Sequence, residues 1–235
     1  MEAVDPLVDS AATSMRTLAL NRPRPNVLRV TAVVDSLADR ARWNPTTVAR
    51  WLQFPGVSPF DYRVCGVDAD RGVIDIDFSL TTSNAMLRSW LETLEVGTLN
   101  RIAGPGTGHL PNFASGRRVL VFADEVSVVA VHAILEQWPP SSRGIVWLDT
   151  PSAAAVADLP VVDGVTVFSF HVNMGFDPLV TAARRIELDG TTTVWAAGER
   201  GRMESIQATC RAAGLGSDDT RVFGYWSDTA PRRRG

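Results

Sequence analysis

The sequence predicts a two-part fold: an antiparallel β half followed by an α/β half built on a parallel sheet. Three observations predict it. Short apolar runs with period-two alternation follow Asn26, and strand-like runs alternate with helix-length stretches beyond Gly116. Between them lies the strongest breaker cluster in the chain, Gly104-Pro105-Gly106-Thr107-Gly108, which places the domain junction just after it. The 235 residues suffice for one large or two modest domains, and a chain of this length needs no disulfide staples.

Residues 1–24 mix Asp, Ser, Ala and Pro and end in NRPRP, where two prolines oppose a helix and favour extended chain; they read as a partly ordered leader. VLRVTAVV, YRVCGV and VIDIDFSL then read as strands, the last alternating apolar and acidic residues so that one sheet face is buried. Between Asn84 and Leu94 the spacing changes. Met86, Leu87, Trp90, Leu91 and Leu94 share one helical face, which predicts a short amphipathic helix among strands. A further apolar run covers Thr98 to Ala103. Beyond Gly116, RVLVFA, GIVWLD, VTVFSF, TTVWAA and VFGYW read as strands. The intervening helices fall at Glu125–Trp138, near Ala153–Ala157, at Pro178–Arg185 and at Glu199–Ala213, with Gly214 as the last helix's stop. Strands alternating with helices imply right-handed crossovers and ligands outside the carboxyl ends of the strands.

Composition excludes several classes. Hydrophobic residues make up 45% and charged residues 21%, an ordinary globular balance. The longest apolar stretch, Val126 to Leu135, is broken by His132 and is too short to span a membrane. The start lacks a secretory pattern, so the expected location is cytoplasmic. All 23 basic residues are arginine, which removes Schiff-base and P-loop lysine chemistry. A net charge of −3 argues against a nucleic-acid partner, and the terminal Arg232-Arg233-Arg234 reads as a solvated tail. Cys65 and Cys210 are far apart, and His109, His132 and His171 share no metal-ligand spacing, so no metal site is expected. His171 follows a strand at the ligand-facing edge of the parallel sheet, where a lone polar histidine is the expected reading. Trp43, Trp51, Trp138, Trp147 and Trp195 are core candidates.

Two C-terminal motifs, Val194-Trp195-Ala196-Ala197-Gly198-Glu199 and Phe223-Gly224-Tyr225-Trp226, follow each other at a spacing that resembles the siderophore-interacting proteins, flavin-dependent ferric-siderophore reductases. Asp124-Glu125 ahead of a helix ending Ile134-Leu135-Glu136, Tyr62 in FDYRVC, Asp77-Phe78, Trp90 and Ala103-Gly104-Pro105 add to the resemblance, which covers roughly residues 26–227. It implies a ferredoxin-reductase-like architecture: a FAD-binding-like antiparallel β-barrel over residues 25–115, then an NAD(P)-binding-like α/β domain over residues 116–235. It also implies FAD and NAD(P)H as cofactors.

The sequence departs from the family pattern at the cofactor positions. In the family's Arg-x-Tyr-Thr-x-Arg segment the tyrosine lies against the flavin ring and the arginines answer the pyrophosphate. Here Tyr62 remains, while Phe60, Arg63 and Cys65 stand at the first arginine, the threonine and the last arginine. A second flavin segment aligns with Thr81 to Trp90, where the tryptophan remains. Ala85, Met86 and Leu87 bring side chains to a phosphate-approach position that glycine would leave open, and Thr81, Thr82, Ser83 and Asn84 offer hydroxyl and amide donors or a helix N-cap. On the nicotinamide side, Gly198 and Glu199 open a helix after a strand. Glu204, Gln207 and Ser227 replace family arginines, and Arg200, Arg202 and Arg211 read as solvated surface charges.

Two readings follow. In the first, NAD(P)H reduces FAD, and the flavin, held by Tyr62, Arg63, Thr81, Thr82, Ser83 and Trp90 with Gly198 and Glu199 on the nicotinamide side, passes electrons to a ferric siderophore. In the second, the flavin is lost. An apolar cleft lined by Phe60, Tyr62, Cys65, Met86, Leu87, Trp90, Tyr225 and Trp226 then binds a small metabolite or shapes it for a cofactor-independent step such as a cyclisation in natural-product assembly.

Overall fold

A computed structural model describes residues 12–35, 48–51, 60–80, 85–103, 110–114, 116–171 and 175–226. The chain divides into two compact units, with Asn84–His109 in the first and Leu110–Ser227 in the second.

The first unit is a closed barrel of β1 (Ala12–Arg24), β2 (Val27–Val34), β3 (Val48–Trp51), β4 (Phe60–Asp68), β5 (Val73–Ser79) and β6 (Leu99–Ala103), with one helix, α1 (Ala85–Thr93). Strand order is β1-β2-β5-β4-β3-β6, and all pairs are antiparallel. Period-two patterning builds it: Val30, Ala32, Ile74, Ile76 and Phe78 are fully buried, whereas Arg29 and Thr31 face Asp77 and Asp75 on the other side of the β2/β5 ladder. Residues 12–24, expected as leader, instead form the strand that closes the barrel, pairing with β2 and with β6. Pro23 falls within the irregularity in pairing between Asn21 and Arg24, and Pro25 lies just past the strand, so they cost the ladder little. The expected leader residues 1–11 lie outside the described residues, as does the junction cluster at residues 104–108.

The second unit is a parallel sheet of β7 (Arg118–Asp124), β8 (Arg143–Asp149), β9 (Val165–Phe170), β10 (Thr192–Glu199) and β11 (Thr220–Trp226), ordered β11-β10-β7-β8-β9. The crossovers carry α2 (Val128–Glu136), α3 (Ala153–Ala157), α4 (Pro178–Arg185) and α5 (Arg200–Ala212). This is a doubly wound order, and its topological switch point lies between β7 and β10. Both strands are buried along nearly their whole length, as their continuous apolar runs require.

On one face of the sheet Leu120, Phe122, Val194 and Ala196 pack with Leu179, Met203 and Ile206 of α4 and α5. An aromatic ladder crosses three strands in register: Phe122 stacks on Trp147 with ring centroids 4.8 Å apart, and Trp147 on Phe168 at 6.2 Å. Trp138 is buried under β8, its indole N–H donating to the Ser142 carbonyl at 3.1 Å. Gly144 makes room for that ring, because a Cβ there would lie 2.5 Å from both the indole and the Val119 carbonyl.

Gly144→Ala is therefore expected to lower unfolding free energy by about 1–3 kcal/mol, since overpacking displaces either the indole or the β7 backbone. Chemical denaturation of the two proteins checks this, and an unchanged midpoint would refute it.

Candidate functional site

The carboxyl edge of the parallel sheet is the place where this topology presents ligands, and here the protein's own side chains fill much of it. Asp124 ends β7 and is fully buried. One carboxylate oxygen accepts from the Val126 and Ser127 N–H groups at 3.1 and 3.3 Å and from the Ser127 hydroxyl at 3.2 Å, closing the turn into α2. The other accepts from the Glu199 N–H at 2.8 Å, across the switch point. Gly198 is what lets the carboxylate come so close: a Cβ there would stand 2.5 Å from the Asp124 Oδ2. The glycine of the Ala-Gly-Glu motif thus serves an internal contact.

Glu199 caps α5, accepting from the Arg202 N–H at 2.8 Å. Arg202, expected at the solvated surface, is instead held between two carboxylates: Asp149 at the end of β8, 2.9 Å away, and Asp177, the N-cap of α4, at 2.7 Å. Burial alone would lower the Arg202 pKa, but Asp177 and Asp149 more than offset it and hold the guanidinium charged. Burial raises Asp149 above the usual carboxylate range, Arg202 opposes that rise, and Glu125 and Asp177 add to it. The edge therefore gathers Asp124, Glu125, Asp149, Asp177 and Glu199 around one committed cation. Sequence reasoning missed this arrangement, because nothing local to α5 announces partners on β8 and α4.

His171 lies at the same edge. Its Nδ1 is 2.9 Å from the Thr150 carbonyl and its Nε2 is 2.9 Å from the Ser169 hydroxyl, so donation from Nδ1–H leaves Nε2 to accept from the serine. The loop Val172-Asn173-Met174 that follows lies outside the described residues. Among the described residues no group of three His, Cys, Asp or Glu is arranged to hold a metal ion.

In the barrel unit, β4 carries Tyr62 opposite Ala49, Arg63 opposite Val48 and Phe60 opposite Trp51. Cys65 is the extra residue of a β-bulge: Val64 pairs with Ile76 and Gly66 with Asp75, leaving Cys65 unopposed. Its thiol donates to the Asp75 carbonyl at 3.3 Å, and burial, with the Asp77 charge adding to it, pushes its pKa up to about 12. The position where the resemblance places a guanidinium is thus neutral. Two neighbouring arginines are spent on one carboxylate: Arg29 donates to Asp77 at 2.7 and 2.9 Å, and Arg24 stands 3.5 Å from it.

On α1, Leu87 is buried at 1% exposure, whereas Trp90 is half-buried and tilted against Phe78 at 5.3 Å. Thr81, Thr82 and Ser83 lie outside the described residues. Met86 belongs to α1, and Tyr225 and Trp226 end β11 in the other unit.

The described residues fit the two implied cofactors differently. Trp90 suits a flavin's uncharged ring, whereas the neutral Cys65, at the position the resemblance gives to a pyrophosphate-binding arginine, supplies no cation for the diphosphate. At the sheet edge a nicotinamide dinucleotide would bring phosphate to a group of carboxylates whose arginine is already paired; those residues do not fit it.

Comparison with known proteins agrees with the two-unit architecture. Residues 116–229 match the family described as siderophore-interacting protein. A ferric acinetobactin reductase from Acinetobacter baumannii is 27% identical over 232 residues, covering 95% of this chain and 81% of the relative. The structure of a siderophore-interacting protein from the same organism superposes with a TM-score of 0.72 at 26% identity, covering 92% of this chain and 91% of that one. A ferredoxin reductase of carbazole 1,9a-dioxygenase shares the fold at a TM-score of 0.60 and 16% identity, covering 91% of this chain and 66% of that one.

Two outcomes are expected. Asp124→Asn should cost about 1–3 kcal/mol, because an amide cannot accept at both positions and sets one N–H against another; an unchanged denaturation midpoint would refute it. The Cys65 thiol should react with a disulfide reagent at about pH 8 at least ~10-fold more slowly than a free cysteine. Its folded-state pKa is raised, so the stabilisation it carries is present at neutral pH and is lost as pH climbs toward about 12. Mass analysis of the Cys65 peptide reads the rate, and rapid labelling would contradict the assignment.

Proposed function

We propose that this chain is a siderophore-directed oxidoreductase whose substrate is a small iron(III) chelate, since its residues 116–229 match the siderophore-interacting protein family. One observation carries the reading: the likeness to a ferric reductase runs through 95% of the chain, so it spans the barrel as well as the matched domain. FAD is the cofactor this reading requires, and when bound it supplies one-electron transfer to iron(III). Tyr62 on β4 and Trp90 on α1 would hold the flavin ring, with Arg63 and the Thr81, Thr82 and Ser83 hydroxyls toward the diphosphate. The neutral Cys65 would supply no cation to that diphosphate. The nicotinamide limb of the expected electron path is left out of the proposal, since Gly198 and Glu199 are engaged with Asp124 and Arg202.

A second reading rests on a specific observation, the loss of cations around β4: a neutral thiol at position 65, and Arg24 and Arg29 both committed to Asp77. In that reading the barrel has given up the flavin and an apolar metabolite takes its place.

The two readings part on one preparation. Purified protein supplied with FAD is expected to retain flavin absorbance through gel filtration and, once reduced with dithionite, to be reoxidised by a ferric catecholate chelate. Tyr62→Ala should lower the retained flavin at least ~10-fold if loss of the ring contact costs about 1.4 kcal/mol. A colourless protein that takes up no flavin would overturn the oxidoreductase reading and favour the second.

A further inference from the structure

The switch-point crevice between β7 and β10 is where a doubly wound sheet receives a dinucleotide, with the pyrophosphate at a helix N-terminus where free N–H groups and the helix dipole attract it. We infer that the α/β unit of this chain does not bind NADH or NADPH, its dinucleotide position being closed by an internal network of carboxylates. This exclusion is a property of the α/β unit and holds whether or not the barrel carries a flavin.

Three features of the edge point the same way. The first is the bond across the crevice, where the Asp124 Oδ2 accepts from the Glu199 N–H at 2.8 Å. The same carboxylate fills the space that the missing Gly198 side chain leaves, so the backbone approach a glycine usually offers to phosphate is already taken. The second is the capping. The turn into α2 is closed by Asp124, α4 by Asp177 accepting from the Val180 N–H at 3.0 Å, and α5 by Glu199 accepting from the Arg202 N–H at 2.8 Å. A phosphate drawn to any of these ends meets a carboxylate already there, and like charges at that range repel. The third is the state of the cation. Arg202 reaches Asp149 and Asp177 at 2.9 and 2.7 Å, and a phosphate would have to compete with both. Arg200 is exposed at the start of α5, and the Glu125, Asp149, Asp177 and Glu199 carboxylates outnumber it.

The network keeps a role of its own: Arg202 ties α5 to the ends of β8 and α4, which makes it a structural clasp where the topology would otherwise offer a docking site.

The test is direct binding, read by nicotinamide fluorescence and calorimetry on the full chain. The expected result is no saturable binding of NADH or NADPH up to millimolar concentration. Saturable micromolar binding by the unmodified protein would overturn the inference. The double variant Asp149→Asn with Asp177→Asn removes two carboxylates and releases Arg202, and is expected to raise NADPH affinity at least ~10-fold, in a salt-sensitive manner. A folded double variant no better than the parent would also count against the inference, since the carboxylates would then not be what excludes the ligand. Should the pair fail to fold, Glu199→Gln keeps the cap acceptor, removes a charge and is read by the same gain. Flavin uptake by the same preparations is scored separately, so failure of the oxidoreductase reading and failure of this inference leave different records.

Discussion

The α/β unit depends on one buried carboxylate. Asp124 accepts from three backbone N–H groups and one hydroxyl, and through them it joins the end of β7 to the turn into α2 and to the first residue after the β10 glycine. A charge so deeply buried is tolerable only when its lone pairs are satisfied. Satisfying them fixes Gly198, because no side chain fits between the carboxylate and β10. It also fixes the direction in which α5 leaves the sheet, and hence the place from which Arg202 reaches Asp149 and Asp177. The chemistry of the edge follows from this one contact.

Much of the architecture is legible in the sequence because its elements obey the two periodicities. The runs at β2, β5, β7, β8 and β10 alternate or are continuously apolar according to whether one or both faces are covered, and Leu87, Trp90 and Leu91 recur at helical spacing in α1, with Leu94 just past its end. β1 escapes because its signal is mixed: Leu18 is exposed on a strand whose Met15 and Thr17 are buried, and prolines at its end resemble loop chemistry. β3 escapes for its length, four residues inside a stretch rich in breakers.

The candidate site is legible in a narrower sense. Asp124-Glu125 and Gly198-Glu199 stand out as motifs, yet a motif names residue types and not what each one touches. That the glycine accommodates a carboxylate of the same chain becomes visible only when β7 and β10 lie side by side. Arg202 is a stronger case: its spacing on α5 is that of an ordinary half-exposed helical arginine, and its partners come from two other elements. Cys65 is similar, since its neutrality is set by a bulge that shifts β4 against β5, and a single unpaired residue leaves no periodic signal.

The stacked rings of Phe122, Trp147 and Phe168 have a consequence for how this unit comes apart. Among the described residues β9 is hydrogen-bonded to a strand on one side only, and its ring at the end of the stack is half open to water. Its attachment therefore rests on a single ladder plus aromatic contact, so its amides can exchange through a local opening that leaves the other four strands closed. Each such opening uncovers one face of Trp147, making that indole a sensor of edge fraying, while Trp195, sealed in β10, registers only collapse of the whole sheet.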